Sequence, residues 1–352
     1  MDPWYQVQNA ADVDSPALLV YPARIEENIR RMIALVGGRR ERLRPHIKTH
    51  KMADIVRLQM AQGINKCKCA TIAEAEMAAQ CGVSDVLIAY QPVGPKVERI
   101  ARLMKAFPNT RFSVIADDER VLRSLPSDFE VLLDIDMGQH RTGIAPGPRA
   151  AELYRTRPGA IHVYDGHLQQ PDVAERKAAW DAALEPVRRF LKELGPVSRI
   201  TAGGTPTFAF WARETDFECS PGTCLLWDHS YGTKIRDLDF LPAALMLTRV
   251  VSKPAANRLC LDLGHKALGS ESPIPQRVHL LDLPDAKAVG HSEEHLVVET
   301  DRSGEFAVGD CLYGMPGHIC PTVALHATAT VIRNAKACGL WKVTARDRLL
   351  TI

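Results

Sequence analysis

The sequence predicts an α/β fold, a (β/α)8 TIM barrel followed by a C-terminal β domain. Three observations predict it. From about residue 22, amphipathic helical stretches alternate with short apolar runs; eight such runs fit before residue 230; and beyond about residue 240 the helical period gives way to short alternating strands. The first pattern is that of parallel strands joined by crossover helices, and eight such units close a barrel.

The eight runs are LRPHIKT (43–49), KCKCAT (66–71), DVLIAY (85–90), RFSVIA (111–116), EVLLDID (130–136), AIHVYDG (160–166), SRITAG (198–203) and FECSPGTCLLW (217–227). Between them helices fit IEENIRRMIALV (25–36), AEAEMAAQCG (73–82), KVERIARLMKAF (96–107) and AERKAAWDAALEPVRRFLKELG (174–195). Gly82 and Gly195 stand where a helix stops in the left-handed conformation before the next strand. After the barrel, LMLTRVVS, RLCLDLG, RVHLLDL, HLVVET, CLYGMP, VALHATATVIR and LWKVTA read as strands of a second domain. The early strand PALLVY (16–21) is expected to join that sheet. The expected division is therefore a barrel over 22–235 and a discontinuous β-rich domain from 1–21 plus 236–352.

Bulk composition narrows the function classes. At 352 residues the chain exceeds the usual size of a single core, which suits a barrel with an appended domain. Hydrophobic residues are 46% and charged residues 24%, ordinary for a globular protein. A net charge of +2, with both signs interspersed, argues against nucleic acid or an anionic membrane as partner. No apolar run approaches membrane-spanning length and the start, MDPWYQVQNAADVD, lacks a signal-peptide pattern, so a cytoplasmic location is expected. Nine cysteines without regular spacing fit reduced thiols. Cys67 and Cys69 are open to reading as a metal pair, but no second pair lies at zinc-site spacing, and strand residues beside the core is the preferred reading.

Functional residues of such barrels gather where strands end and loops begin. RPHIKTHK places Lys48 at the end of the first strand, where a deprotonated amine can form an imine with an aldehyde. Basic neighbours such as Arg44, Lys51 and His50 are expected to encourage that deprotonation. In TAGGTPTF, Gly203 and Gly204 end the seventh strand and Thr205 and Pro206 open a helix. Glycines let backbone approach a phosphate, and a helix N-terminus offers unpaired N–H groups. Lys48 and this loop together point to a phosphate-bearing aldehyde. Tyr164, at the end of the sixth strand, either meets a ring nitrogen in the barrel mouth or packs at its rim. Gln139 and Arg141, from DMGQHRTG after the fifth strand, lie in a functional loop, where the arginine either neutralises an anionic group or forms a surface ion pair. In GMPGHICPTV, His318 and Cys320 are two residues apart on an expected strand and so face one way, as an imidazole and a thiolate suited to zinc, or else as structural residues.

These residues, in this order, resemble the D-threonine aldolase and D-serine dehydratase family, metal-dependent pyridoxal-5′-phosphate (PLP) enzymes with an alanine-racemase-like fold (fold type III). The matching pieces are DSPALLV, RPHIKTHK, TAGGTP, SPGTCLLWD, LDLGHKALGSE, SEEHLVVE and GMPGHICPTV. The resemblance implies that Lys48 is the Schiff-base lysine, that Gly203, Gly204 and Thr205 hold the phosphate, that Tyr164 contacts the pyridine nitrogen and Arg141 supports the cofactor. It further implies that His318 and Cys320 bind a divalent metal, zinc or manganese, which holds the β-hydroxyl of a D-amino acid.

Two chemistries follow from that set. Breaking Cα–Cβ leaves glycine and an aldehyde, the aldolase reaction; removing the α proton and expelling hydroxide gives a keto acid and ammonia, the dehydratase reaction. The H-x-C pair is more like the dehydratases. Aldolases also place a histidine shortly after the tyrosine motif, where this chain has Gln170, and His167 is the substitute base. LDLGHKALGSE and SEEHLVVE are nearer the aldolases, and aldolase chemistry of the D-threonine type is the favoured expectation, with D-serine dehydratase or 3-hydroxy-D-aspartate chemistry as alternatives. A PLP-dependent racemase needs a second base opposite Lys48 and no metal, and a non-catalytic PLP carrier needs no β domain. A homodimer is expected by resemblance.

Overall fold

The computed structural model describes residues 3–157 and 159–352. After strand β1 (Ala17–Val20) and helix α1 (Pro22–Leu35), the chain winds through seven parallel strands that stand side by side in chain order. These are β2 (Lys66–Cys69), β3 (Asp85–Ile88), β4 (Arg111–Ala116), β5 (Glu130–Asp136), β6 (Ala160–Tyr164), β7 (Arg199–Ala202) and β8 (Glu218–Cys219). The crossovers carry α2 (Ala53–Ala61), α3 (Ile72–Gln80), α4 (Pro95–Ala106), α5 (Glu119–Ser124), α6 (Pro148–Thr156), α7 (Val173–Leu194) and α8 (Phe208–Glu214), and α9 (His229–Lys234) follows β8. Pro at the first turn opens α1, α4 and α6, where its missing N–H costs nothing. Gly82 and Gly195 take φ of +87° and +77° at the helix ends where the sequence places them.

The eighth stave differs from expectation. Residues 43–49 form no continuous strand, because Pro45 has no N–H to give and the chain turns at 47–50. The segment closes the barrel all the same. Arg44 N–H donates to Cys219 O at 2.9 Å, His46 N–H to Pro221 O at 2.8 Å, and Ile47 N–H to Lys68 O at 2.9 Å, while Lys68 N–H donates to Pro45 O at 2.9 Å. The expected strand 217–227 likewise shrinks to Glu218–Cys219, ended by Pro221 and Gly222 and a 3-10 turn at Thr223–Leu225.

Alternation along the strands sends one set of side chains outward to the helices and the other into the barrel. The interior is layered. At its floor Arg44, wholly buried, spans Asp85 (2.8 Å to each carboxylate oxygen) and Glu218 (2.7 Å), while Lys66 reaches Glu218 at 2.6 Å and Arg199 joins Asp85 to Glu130 at 3.1 and 2.9 Å. Above it lies a dry layer of Leu87, Ile115, Leu132 and Ala160. His46, Lys68, Asp134 and His162 come next, and Lys48 and Tyr164 stand at the mouth. Cys67 and Cys69 face outward into the main core with Sγ atoms 3.8 Å apart, as strand residues.

The second sheet is built from β9 (Ala244–Ala255), β10 (Arg258–Leu261), β11 (Val278–Leu280), β12 (Lys287–His291), β13 (Leu296–Glu299), β14 (Cys311–Pro316), β15 (Thr328–Arg333) and β16 (Lys336–Lys342), together with β1. Strand β1 lies between β9 and β15, antiparallel to the first and parallel to the second. One expectation fails here. The strand reading of GMPGHICPTV and the start of VALHATATVIR is wrong: β14 ends at Pro316, His318 is the extended N-cap, and Cys320 sits in the first turn of helix α10 (Ile319–Leu325). Pro321, also in that first turn, is compatible with a helix start and incompatible with a paired strand interior. Among the described residues no helix is long and apolar enough to cross a membrane.

Candidate active site

The closing stave, the β7–α8 loop and the β8–α9 loop are stitched into one wall of the barrel mouth. Thr205 Oγ1 accepts the N–H groups of Gly222 and Thr223, each at 3.1 Å. Gly222 in turn lies so close to the closing stave that a Cβ there would come within 3.1 Å of His46 O and 3.3 Å of Thr49 Oγ1. Lys48, half-buried between His46 and Thr49, is thus on the same wall as the glycine pair. Thr205 is thereby tied through Gly222 to the stave that carries Lys48.

The glycine pair is held from behind. Gly203 has φ +79°, and a Cβ on it would strike the Trp211 ring at 2.4 Å, so only glycine fits. Gly204 N–H donates to Asp165 Oδ1 at 3.0 Å, and the other carboxylate oxygen accepts Thr207 Oγ1–H at 2.6 Å and the Trp211 indole N–H at 2.7 Å. Burial raises the Asp165 pKa, and these donors oppose that rise. The Gly204 amide is therefore spent on Asp165. What the wall leaves free is Ser220 Oγ, buried and without a partner. An unpaired buried hydroxyl beside glycines that bring backbone close is the kind of surface a phosphate fills.

Tyr164 packs against this wall; a Cβ on Gly204 would lie 3.2 Å from its ring, and one on Gly166 would overlap its hydroxyl. Arg141 reaches over the ring with its guanidinium carbon 5.0 Å from the centroid. The loop that carries Arg141 is folded by Asp136, whose Oδ1 accepts the N–H groups of Gly138, Gln139 and His140 at 2.9, 2.9 and 3.1 Å. Gly143, with φ +95°, lets the loop return tightly against Asp136. His167 is exposed, its Nε2 facing Gly138 across 3.6 Å to the position a Cβ would take. Gln170 turns inward, its Oε1 buried without a partner and its carbonyl accepting from Arg176.

The basic neighbours expected to act on Lys48 are otherwise engaged. Arg44 is committed to Asp85 and Glu218, Lys51 is paired with Glu74, and His50 is buried as a neutral ring, its pKa pressed down to about 3 by burial, with Nδ1 accepting Met52 N–H at 3.1 Å. The cation that does face this region comes from the next strand. Lys68, 1% exposed, holds Nζ 3.5 Å from His162 Nε2, and His162 Nδ1 is 2.7 Å from Asp134 Oδ1. Asp134 and His162 are register partners on adjacent strands, which fixes that contact. Polar residues at every second position of β5 and β6 (Asp134 and Asp136; His162 and Tyr164) were the signal for this buried chain, in strands otherwise apolar.

Helix α10 brings the β domain against this same wall. Cys320 Sγ is 3.3 Å from Thr49 Oγ1, one residue beyond Lys48, and Ile319 N–H donates to Asp228 Oδ2 at 3.2 Å. His318 Nδ1 pairs with Glu271. Burial opposes charge on both members of the His318–Cys320 pair, yet their contact prevails. The imidazole is raised to about 9 and the thiol lowered, each by the other. His318 and Cys320 do converge, through an N-cap and a first helical turn rather than along a strand. Among the described residues no cluster of three or more His, Cys, Asp or Glu side chains forms a metal site.

A family model described as alanine racemase, N-terminal domain, matches residues 20–229. The chain belongs to that family. A second model, described as a putative serine dehydratase domain, matches residues 243–332 of this alanine-racemase-like chain. Similar proteins include the 3-hydroxy-D-aspartate aldolase of Paracoccus denitrificans (strain Pd 1222), 29% identical and covering 96% of this chain and 93% of that one. The D-threonine aldolase of an Arthrobacter species is also 29% identical, with the same coverages. The crystal structure of D-threonine aldolase from Filomicrobium marinum superposes with a TM-score of 0.88 at 28% identity, covering 96% of both chains. The resemblance to the D-threonine aldolase and D-serine dehydratase group therefore holds along the whole chain, and these homologues are lyases.

Proposed function

We propose that this protein is a PLP- and divalent-metal-dependent lyase acting on β-hydroxy-D-amino acids, with D-threonine-type aldol cleavage as its reaction. The observation that carries the reading is the single wall of the barrel mouth on which Lys48 stands beside two Gly-Thr loops and an unpartnered buried hydroxyl. Lys48 holds the cofactor covalently through its amine. Gly203, Gly204 and Thr205, with the Ser220 hydroxyl, would receive its phosphate, Gly204 by close approach of its backbone since its amide is engaged by Asp165; Tyr164 would contact the pyridine nitrogen and Arg141 would support the cofactor. When bound, PLP supplies an electron sink for the pair released at Cα. His318 and Cys320 offer nitrogen and sulfur donors that suit zinc, with manganese the alternative, and such an ion lowers the pKa of a bound hydroxyl. His167, on the loop beside Gly138, is the proposed acceptor of the β-hydroxyl proton.

The similar proteins named as aldolases support the cleavage reaction. Dehydration is the second reading, supported by the match of residues 243–332 to the serine dehydratase domain and by a thiol at Cys320. Incubating the purified protein, PLP and metal separately with D-threonine, D-serine and D-3-hydroxyaspartate distinguishes them. Glycine plus an aldehyde is the expected outcome. Keto acid plus ammonia assigns the dehydratase, and no product from any of the three sinks the proposal.

A further inference from the structure

A pocket of about 200 Å³ lies outside the barrel wall, between α3 and α4. Strand alternation separates it from the barrel interior: Leu87 points inward to the dry layer, so Ile88 points out to the helices. The floor is Ile72 of α3, Ile88 of β3 and Ile100 of α4, all buried. Over it stand Lys96 and Arg99 of α4, and Arg348 from the segment that follows β16. Among the described residues no carboxylate lines the pocket. An apolar floor under cations that no acid faces is a field that draws an anion.

The walls are built in advance. Glu76, wholly buried in α3, accepts the N–H groups of Thr351 at 3.0 Å and Ile352 at 3.2 Å. From the α4 side the Arg99 guanidinium donates to the carbonyls of Arg348 at 3.2 Å and Ile352 at 2.6 and 3.1 Å. The segment that carries Arg348 is therefore fastened to both helices, and Arg99 is spent on fastening it. On the other side, Gln91 Oε1 accepts the N–H groups of Asp117 and Asp118 at 2.8 and 3.3 Å, which fixes the loop of Tyr90 and Pro92. Lys96 rests its ammonium 3.7 Å from the Tyr90 ring centroid, a contact that leaves its N–H donors unspent. Arg348 is exposed at the rim.

We propose that this pocket is a second ligand site, for a small carboxylate with an apolar body such as an aryl or branched-chain acid. The body rests on the three isoleucines, and the carboxylate pairs with Lys96 and Arg348, whose planar guanidinium can offer two parallel N–H bonds. A bare inorganic anion gains nothing from the apolar floor, and an amine is repelled by the rim. The volume is below the roughly 300 Å³ at which pockets begin to hold drug-sized ligands, so the acid is small. Nothing in this assignment depends on the role of Lys48.

Isothermal titration calorimetry with phenylacetate, phenylacetamide and inorganic phosphate tests it on the wild type, the double variant Lys96→Gln/Arg348→Gln and Lys48→Ala. Phenylacetate is expected to bind saturably with a Kd of order 1 mM. The amide, which keeps the body and loses the charge, is expected to bind about tenfold more weakly, and the double variant to weaken phenylacetate by about the same factor. Lys48→Ala is expected to bind phenylacetate as wild type does, which places the site away from the barrel mouth. Arg348→Gln alone, at an exposed side chain, keeps the inference open to refutation should the double variant not fold; it is expected to weaken phenylacetate as well. Absence of saturable binding, equal affinity for the amide, displacement by phosphate, full affinity in the charge variants, or loss of binding in Lys48→Ala overturns the proposal.

Discussion

Glu218→Gln tests whether the ion network at the barrel floor holds the stave that carries Lys48. The Glu218 carboxylate accepts from Arg44 at 2.7 Å, Lys66 at 2.6 Å and Thr201 at 3.0 Å. Burial alone would raise its pKa, but Arg44 and Lys66 prevail and hold it at about 2, against 4.5 for an ordinary glutamate. At about 1.4 kcal/mol for each tenfold change, that difference stabilises the fold by about 3 kcal/mol at neutral pH. Because the folded-state value is depressed, the stabilisation is complete above the ordinary value and fades as the pH falls toward 2; near pH 3.5 about 2 kcal/mol remains. Glutamine keeps the shape and removes the charge, leaving Arg44 buried with Asp85 alone. Urea unfolding of wild type and Glu218→Gln, followed by the fluorescence of Trp180 and Trp211 in the barrel, is expected to show that gap at pH 7 and its narrowing at pH 3.5. A gap below 1 kcal/mol at pH 7, or one that does not change with pH, refutes the reasoning.

Lys48→Ala is expected to abolish the visible absorbance of bound PLP while leaving the far-ultraviolet circular dichroism unchanged; a coloured variant places the cofactor on another amine. His318→Ala is expected to keep that colour and lose turnover of β-hydroxy substrates by at least a hundredfold, and full turnover in a steady-state assay removes His318 from the site. Asp165→Ala strands the donors of Gly204, Thr207 and Trp211, each worth roughly 1–3 kcal/mol when buried unpaired. A loss of about 3 kcal/mol or more in urea, together with weaker retention of PLP on dialysis, is the expected result, and retention equal to wild type shows that Asp165 does not brace the phosphate loop.

The barrel was legible in the sequence because apolar runs and helix stops recur at even intervals, and Gly82 and Gly195 punctuate the chain as read. The glycine pair follows the end of β7 as the sequence reads, whereas Lys48 lies in a turn after two isolated bridges rather than at a strand end. What escaped was set by tertiary contact. The cations next to Lys48 in the sequence, Arg44 and Lys51, have their own carboxylates, while the one that faces it, Lys68, comes from a strand twenty residues on. His318 and Cys320 were read with a strand period, yet Pro321 three residues past an extended N-cap starts a helix, and convergence arises from the cap geometry instead. Asp165 gave no local signal, since its three donors come from residues 204, 207 and 211.

A crystal structure of the protein grown with pyridoxal 5′-phosphate measures the heart of the account. Continuous density from Lys48 Nζ into the pyridine ring, with the phosphate seated among Gly203, Thr205 and Ser220, is the predicted result. Density joined to a different lysine, or a phosphate bound away from that wall, would contradict it.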